Sequence, residues 1–163
     1  MELLIRKALE SDFPEIWKIF HAIVQKGDTY VFAPETSYDE AKNIWMGQGV
    51  FPYVAILDDE VVGTYIIKPN HTGLGSHVAN GSYMVHQDHQ GKKIGYKMGA
   101  HSLEEAKRLG FKAMQYNIVV ATNENAIKLW EKLGFEIVGK LPKVFNHHQL
   151  GYVDAFVMHR FLA

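Results

Sequence analysis

The sequence contains no cysteine among its 163 residues. A disulfide framework, a thiolate metal site and a cysteine nucleophile are therefore all excluded. The chain also lacks an excess of either charge, because 17 lysines and arginines stand against 18 aspartates and glutamates, for a formal net charge of −1. A near-neutral chain has no overall attraction to nucleic acid or to an anionic membrane. Any anionic ligand must therefore be bound by local groups.

Long apolar stretches are absent as well. No segment approaches the ~20 apolar residues of a membrane span, and the first residues, MELLIRKALESDF, become acidic before a signal-like apolar run can develop. Hydrophobic residues make up 47% of the chain and charged residues 21%, as in an ordinary globular protein. These features predict one domain over residues 1–163 in the cytoplasm, with neither a membrane nor a nucleic acid as partner.

Apolar periodicity predicts the element order β-α-α-β-β-β-α-β-α-β-β. The first strand is expected over residues 3–9, and the first helix is expected to start at an N-cap on Ser11. A hairpin turn is expected at residues 58–60, and the third helix at about residues 92–109. This order is typical of an α+β or mixed α/β domain.

One stretch, MVHQDHQGKKIGYKMG at residues 84–99, changes from an apolar strand end into a helix rich in small residues and lysine. A helix N-terminus has unpaired N–H groups and a partial positive charge, so it binds anions. Gly91 and Gly95 would let a phosphate approach the backbone, while Lys92 and Lys93 add positive charge. The alternative is a glycine-rich turn with solvated lysines. The spacings of a P-loop and of a dinucleotide fingerprint are both absent.

A second stretch, TNENAIKLWEKLGF at residues 122–135, starts another helix at a strand end, with Asn123 at the cap position. Two adjacent strands that each end beside a helix N-terminus would form a cleft lined by backbone donors and acceptors. A long ligand with a phosphate head could lie in that cleft.

The pattern V-x-x-x-x-Q-G-x-x-x-G at residues 85–95, followed by N-x-x-A-I-x-L-W-E-K-L-G-F at residues 123–135, resembles the GNAT superfamily of acyl-CoA-dependent N-acetyltransferases. The resemblance covers nearly the whole chain. It implies a central, mostly antiparallel mixed sheet of about seven strands flanked by about four helices, and it implies acetyl-CoA as co-substrate. Lys93 stands where the middle glycine of the family's pyrophosphate loop is usual.

The resemblance also implies a cofactor site. The N–H groups of residues 91–96 would hold the pyrophosphate, the backbone around Met84 and Val85 would pair with the pantetheine arm, and Asn123 would contact that arm. The full implied set is Met84, Val85, His86, Gln90, Gly91, Lys92, Lys93, Ile94, Gly95, Tyr96, Asn123, Ala126 and Trp130.

A finer resemblance concerns HVANGSYMV, AMQYNIVVATNENAIKLW and GYVDAFVMHRFL, at residues 77–85, 113–130 and 151–162. These segments are similar to a branch of the family that acetylates small primary or secondary amines, including azetidine-2-carboxylate. The implied reaction is direct acetyl transfer to a small-molecule amine through a tetrahedral intermediate. An antibiotic-like or herbicide-like amine and a protein N-terminus remain alternative acceptors. A non-catalytic acyl-CoA sensor is an alternative of a different class.

Many members of the family protonate the leaving thiolate with a tyrosine in the last helix. Trp130 stands at that position here, and an indole N–H is too weak an acid. In the resembled branch, asparagines that match Asn80, Asn117 and Asn123 line the acetyl and acceptor pocket. We expect Asn80 to bind the substrate or the oxyanion, and Asn117 with Asn123 to orient the amine or a water. The base would be water or the substrate's own deprotonation equilibrium.

Several of these residues have both a functional and a structural interpretation. Each asparagine alone could be a satisfied strand amide, and the Asn80-Gly81 pair also predicts a β-bulge. Tyr30 and Phe32 lie in a loop that would overhang the acceptor pocket, where they would contact substrate or pack on the core. His147 or its neighbour could serve as a base. The histidine pairs lack carboxylates at helical spacing beside them, so no metal site is predicted. A homodimer is expected only because dimers are common among similar proteins.

Overall fold

A single seven-stranded sheet with helices packed on both faces forms the fold of the computed structural model, which describes residues 2–163. The strands are β1 (Leu4–Lys7), β2 (Phe51–Leu57), β3 (Glu60–Pro69), β4 (Val78–Val85), β5 (Ala113–Val120), β6 (Glu136–His147) and β7 (Gly151–Phe161). The helices are α1 (Phe13–Gln25), α2 (Tyr38–Met46), α3 (Ile94–Arg108) and α4 (Glu124–Lys132). The predicted element order and the mixed α+β class are both confirmed.

The strand order across the sheet is β1-β2-β3-β4-β5-β7-β6. Every neighbouring pair is antiparallel except β4 and β5, which are parallel. The predicted hairpin turn joins β2 to β3, and Asp58 and Asp59 both take positive φ angles, 52° and 64°. Two consecutive residues with positive φ match the right-handed twist of the flanking strands.

Two hydrophobic cores lie on opposite faces of the sheet. Helix α1 buries Phe13, Ile16 and Phe20 at helical spacing against one face, together with α2. Trp45 is fully buried there, and its Nε1–H donates to Thr64 Oγ1 at 2.8 Å. Helices α3 and α4 pack on the opposite face around a row of tyrosines. In the core beneath α1 and α2, the buried Trp45 and Thr64 side chains thus bond to each other, as a low-dielectric interior requires.

Two predicted boundaries were wrong near the N-terminus. Strand β1 covers only Leu4–Lys7, and Ser11 lies within a one-turn 3₁₀ segment, Glu10–Asp12, instead of capping α1. The carboxylate of Asp12 accepts from the Leu9 N–H at 2.6 Å and pairs with the Arg6 guanidinium at 2.8 Å. The Arg6 guanidinium holds the pKa of this carboxyl below its usual value. This ion pair fixes the turn that a serine cap was expected to form.

None of the helices within residues 2–163 combines the length and the apolar character that crossing a bilayer would need.

Candidate functional site

Strands β4 and β5 pair over only two positions and then separate. The paired positions are Val78 with Ala113 and Ala79 with Met114. Beyond them β4 stays bonded to β3, while β5 stays bonded to β7. Because the two strands are parallel, their carboxyl ends diverge on the same side of the sheet and leave a wedge-shaped opening between them. We call this opening the fork.

The backbone of β4 presents alternate residues to the fork. The His86 N–H donates to Val62 O at 2.8 Å, so the even-numbered residues of β4 direct their N–H and C=O groups toward β3. Gly81, Tyr83 and Val85 therefore direct theirs toward the fork. The structure does not bring Met84 to the fork, because its backbone faces β3 and its side chain is buried in the α1 core.

Two of the fork-facing carbonyls already have partners. The Tyr30 hydroxyl donates to Tyr83 O, and Gln90 Nε2 donates to Val85 O at 3.1 Å. Gln90 thus braces the loop that leaves β4, and Tyr30 fastens the loop of residues 26–37 over the fork. Because these two carbonyls are occupied, the fork-facing N–H groups of β4 are the groups that a ligand's acceptor atoms would bond.

The loop between β4 and α3 ends in an unusual conformation. Gly91 and Lys93 have φ angles of 79° and 61°, and α3 begins at Ile94 instead of at residue 92. Lys93 thus takes the left-handed conformation that a glycine would occupy, at a cost of about 1–2 kcal/mol. The predicted start of this helix at about residue 92 was therefore two residues too early.

The N-terminus of α3 offers free donors to the fork. The first helical bond runs from Lys97 N to Lys93 O at 3.1 Å. No protein acceptor within residues 2–163 bonds the N–H groups of residues 94–96. Such groups, with the partial positive charge of the helix end, bind phosphates well.

A cavity of about 620 Å³ lies between the N-terminal ends of α3 and α4. We call it the cofactor cavity because most of the residues predicted to bind the cofactor line it. Three lysines line it, Lys93, Lys128 and Lys132, and none of the lining residues that the structure describes is acidic. Lys132 Nζ lies 5.1 Å above the Tyr96 ring centroid. A chain of nearly zero net charge therefore concentrates positive charge here. The predicted residues that line this cavity are Val85, Gln90, Gly91, Lys93, Ile94, Gly95, Tyr96, Asn123 and Ala126.

Four of the predicted cofactor residues do not line this cavity: Met84, His86, Lys92 and Trp130. His86 Nδ1 accepts from the Asp88 N–H at 3.1 Å, and Lys92 Nζ lies 3.1 Å from His89 Nδ1. Both side chains make contacts within the loop, and neither lines the cofactor cavity.

Asn123 caps α4, because its Oδ1 accepts from the Ala126 N–H at 3.3 Å. Asn123 and Ala126 line the cofactor cavity and also a second, narrower one of about 70 Å³ inside the fork, which we call the neck. Trp130 lines the neck, with its ring centroid 4.4 Å from that of Tyr116 and 4.7 Å from that of Tyr83. The structure thus places Trp130 in the neck rather than in the cofactor cavity.

The tyrosine hydroxyls at the neck form a chain that points into the core. Tyr116 OH donates to Tyr83 OH at 2.9 Å, the Tyr83 hydroxyl lies 2.7 Å from Ser102 Oγ, and Ser102 donates to Gly99 O at 2.7 Å. Burial raises the pKa of Tyr83 to about 12 and raises the pKa of Tyr116 well above its usual value. Both hydroxyls therefore stay protonated at neutral pH, with their protons already donated within the protein.

Gly81 makes this arrangement sterically feasible. A Cβ atom at Gly81 would lie 2.9 Å from the Tyr83 hydroxyl oxygen and 3.2 Å from Ile66 O. Both distances are shorter than ordinary van der Waals contacts. Sequence reasoning missed Tyr83, Tyr116 and Ser102, because their contacts depend on cross-strand register and on how α3 lies over the sheet.

On the far side of the neck lies a cavity of about 300 Å³, which we call the acceptor cavity. It shares Tyr30, Gly81 and Tyr116 with the neck, so the two spaces adjoin. The predicted substrate residues Tyr30, Phe32, Asn80 and Asn117 all line it. The Tyr30 ring stacks on Phe32 with centroids 6.2 Å apart, and burial raises its pKa above the usual value.

Asn80 and Asn117 both make hydrogen bonds within the protein. Asn80 Nδ2 donates to Gln115 O at 2.9 Å, one residue beyond the last backbone pair of β4 and β5. The predicted bulge at Asn80 was wrong, because β3 and β4 keep their register there. Asn117 Nδ2 donates to Asn70 Oδ1 at 2.7 Å, and Asn117 Oδ1 accepts from Gln115 Nε2 at 3.0 Å. Asn80 thus joins β4 to β5 at the base of the fork, and Asn117 joins β5 to the loop after β3.

His147 does not line the cofactor cavity, the neck or the acceptor cavity. Its Nδ1 accepts from the N–H groups of Gln149 and Leu150 at 3.1 and 3.2 Å, so it caps the turn between β6 and β7. It lines another surface cavity of about 490 Å³, which shares Tyr30, Val31 and Phe32 with the acceptor cavity. His147 therefore lies beside the acceptor cavity but does not line it together with Asn80 and Asn117.

Comparison with known proteins matches residues 5–135 to the Acetyltransferase (GNAT) family. The N-acetyltransferase aca1 of Schizosaccharomyces pombe is 39% identical over 99 residues, which are 60% of this chain and 47% of that protein. The L-amino acid N-acyltransferase MnaT of Escherichia coli is 34% identical over 68 residues, which are 42% of this chain and 39% of that protein. These matches span less than half of either curated relative. The structure of a GCN5-related N-acetyltransferase from Kribbella flavida aligns with a TM-score of 0.93 at 39% identity, covering 98% of this chain and 97% of that one.

Proposed function

The chain belongs to the GNAT acetyltransferase family, and we propose that it transfers the acetyl group of acetyl-CoA to the amine of a small molecule, an amino acid or a close analogue. The single observation that carries this proposal is the series of three adjoining cavities. The cofactor cavity meets the neck at Asn123 and Ala126, and the neck meets the acceptor cavity at Tyr30, Gly81 and Tyr116. Two substrates could thus meet inside the sheet from opposite sides.

The cofactor cavity fits the diphosphate and the arm of acetyl-CoA. Free N–H groups of residues 94–96 and three lysines would bind the diphosphate. The fork-facing edge of β4 would pair with the pantetheine amides, which requires Tyr30 or Gln90 to release a carbonyl. Acetyl-CoA supplies the activated acyl group, and the family match supports this donor.

The neck would hold the thioester. The N–H groups of Tyr83 and Val85 face the fork, where they could donate to the thioester carbonyl oxygen as negative charge develops on it. The Tyr83 and Tyr116 hydroxyls are protonated and bonded inward, so neither is available as a base at neutral pH. We therefore assign the loss of the amine proton to water or to the acceptor's own equilibrium. Positioning by the fork would supply most of the rate enhancement.

The acceptor side supports a small substrate. The acceptor cavity of about 300 Å³ is half the size of the cofactor cavity and carries amides and aromatic rings. The similarity to an L-amino acid N-acyltransferase supports an amino acid or an analogue as acceptor.

Two measurements test the proposal. Calorimetric titration with acetyl-CoA should show binding at a single site. Desulfo-CoA, which keeps the diphosphate but has no thioester, is the control ligand: it should bind and release no CoA. Release of free CoA should then accelerate with at least one member of a panel of amino acids, proline analogues and simple amines. Binding without release for every acceptor would indicate a sensor domain, and absence of binding would refute both interpretations.

A further inference from the structure

One positive charge stands in the acceptor cavity without a negative partner. Lys68, near the end of β3, is the one lysine or arginine among the described residues that line this cavity, and none of those residues is acidic. Its ammonium takes part in none of the ion pairs found within residues 2–163. The side chain is half-buried. A cation partly removed from water is stabilised by an anion of its own.

Two side-chain amides share the acceptor cavity with Lys68. Lys68 is directly opposite Asn80 in the antiparallel β3–β4 pair, so their Cβ atoms lie about 5 Å apart. Asn117 lines the same cavity from β5. Each asparagine uses one N–H on a protein acceptor, and an amide NH₂ carries two. An ammonium with two further amide donors matches the acceptor atoms of a carboxylate.

The distance to the neck suits a short acceptor. Tyr83 lies three residues beyond Asn80 on β4, about 10 Å at the rise of a strand. A lysine side chain and a small amino acid together can span that length. The carboxylate would then lie at Lys68, and the amine would lie at the neck.

We propose that Lys68 binds the carboxylate of the acceptor, so that the enzyme selects α-amino acids or their anionic analogues over plain amines; this inference rests on the proposed acetyltransferase function. A simple ammonium entering the cavity meets a like charge without compensation, which disfavours its binding. A protein N-terminus carries an amide where an amino acid carries its carboxylate, so it lacks the recognised group.

Paired acceptors test the proposal. L-methionine with L-methioninamide, and L-proline with L-prolinamide, differ in structure only at the carboxylate. Because the amides have a lower amine pKa, kcat/KM is calculated for the unprotonated amine of each acceptor. In the wild type kcat/KM should favour each acid by about 10- to 100-fold, the range of a charge-assisted hydrogen bond. Lys68→Met should remove this preference by lowering kcat/KM for the acid and leaving the amide within about threefold. Lys68→Arg keeps the charge and should keep the preference.

Each outcome decides between the inference and the proposed function. Equal turnover of acid and amide by the wild type, or an equal loss of both in Lys68→Met, would overturn the role of Lys68 while leaving the acetyltransferase intact. If no acceptor is turned over, calorimetric binding of L-methionine and L-methioninamide to the CoA-saturated protein replaces kinetics. Tighter binding of the acid, lost in Lys68→Met, would support the inference even then, and equal binding would overturn it. Lys68→Gln replaces Lys68→Met if thermal melting shows that the latter is unfolded.

Discussion

The cofactor cavity and the acceptor cavity would recognise their proposed ligands by different means. The cofactor cavity would use backbone N–H groups at helix ends and three lysines, Lys93 just before α3 and Lys128 and Lys132 on α4. The acceptor cavity relies on side chains from β3, β4, β5 and the loop of residues 26–37. Backbone recognition depends on local geometry, whereas the acceptor side depends on which distant side chains meet. We therefore expect substitutions to affect one cavity without the other, except at the neck that they share.

The largest effect is expected at the neck, where one change should damage both sides together. Gly81→Ala would put a Cβ 2.9 Å from the Tyr83 hydroxyl oxygen and 3.2 Å from Ile66 O. We expect a loss of about 1–3 kcal/mol in the free energy of unfolding, together with weaker binding of both ligands. Urea denaturation measures the first quantity. Gly139→Ala in β6 is the matched control, because no atom of residues 2–163 outside its chain neighbours lies within 4 Å of its Cβ position. A similar loss there would rule out the steric explanation.

A change at the α3 N-terminus should affect the cofactor cavity alone. In Gly95→Phe the ring would start from a Cβ already 3.4 Å from Leu129 and would fill the cofactor cavity. The Kd for acetyl-CoA should rise about tenfold or more, the equivalent of about 1.4 kcal/mol. Calorimetry measures this, with Lys97→Phe on the exposed side of the same helix as control. Unchanged affinity in Gly95→Phe would disprove the pyrophosphate assignment.

The converse change should affect the acceptor side alone. Asn117→Ala removes an amide that lines the acceptor cavity and also breaks the bond to Asn70. We expect kcat/KM for the acceptor to fall about five- to tenfold with the Kd of acetyl-CoA unchanged. Asn70→Ala breaks the same bond but leaves the Asn117 amide in place. An equal loss in the two variants would show that Asn117 acts only through loop structure.

The lysines on α4 should contribute less, because they are partly solvated. Lys128→Gln with Lys132→Gln should weaken acetyl-CoA binding about three- to tenfold at low salt, at about 0.2–1 kcal/mol for each exposed charge pair. The difference should shrink as ionic strength rises. Lys112→Gln is the control, since this exposed lysine lines none of the three cavities. A difference that persists at high salt would indicate a packing effect instead.

The smallest effect is expected on stability, from a tyrosine–histidine pair that packs behind Tyr83. Tyr65 stacks on Tyr83, and its hydroxyl lies 2.7 Å from His101 Nδ1. Burial lowers the pKa of His101 below its usual value. As pH falls through the unfolded-state pKa near 6.5, the unfolded chain takes up a proton that the native ring resists, so the free energy of unfolding should decrease.

The change should be well under about 1 kcal/mol, because solvent screens a half-exposed ring. Urea unfolding at pH 7.5 and pH 5.5 measures it in the wild type and in His101→Gln. The variant should show a weaker dependence on pH in this window. An equal dependence in both proteins would contradict a depressed His101 pKa.

Much of the cofactor side was predictable from the sequence. The pattern from Val85 to Gly95 and the Asn123 cap both describe local events, namely a strand that ends and a helix that begins. Those events indicated a cleft lined by helix N-termini, and the structure has one. Met84 was misassigned because only the β3–β4 register decides which strand residues turn toward the fork.

The sequence by itself determined the order of helices and strands, the family, and the residues that start α3 and α4. These follow from periodicity within single elements and from the residues that begin and end them, where backbone preferences act. Only the tertiary structure decided where β4 and β5 separate, that the Tyr83 and Tyr116 hydroxyls turn inward to Ser102, and that Lys68 stands beside Asn80. Such contacts join residues distant in sequence, and they are selected by the packing of the whole sheet against its helices.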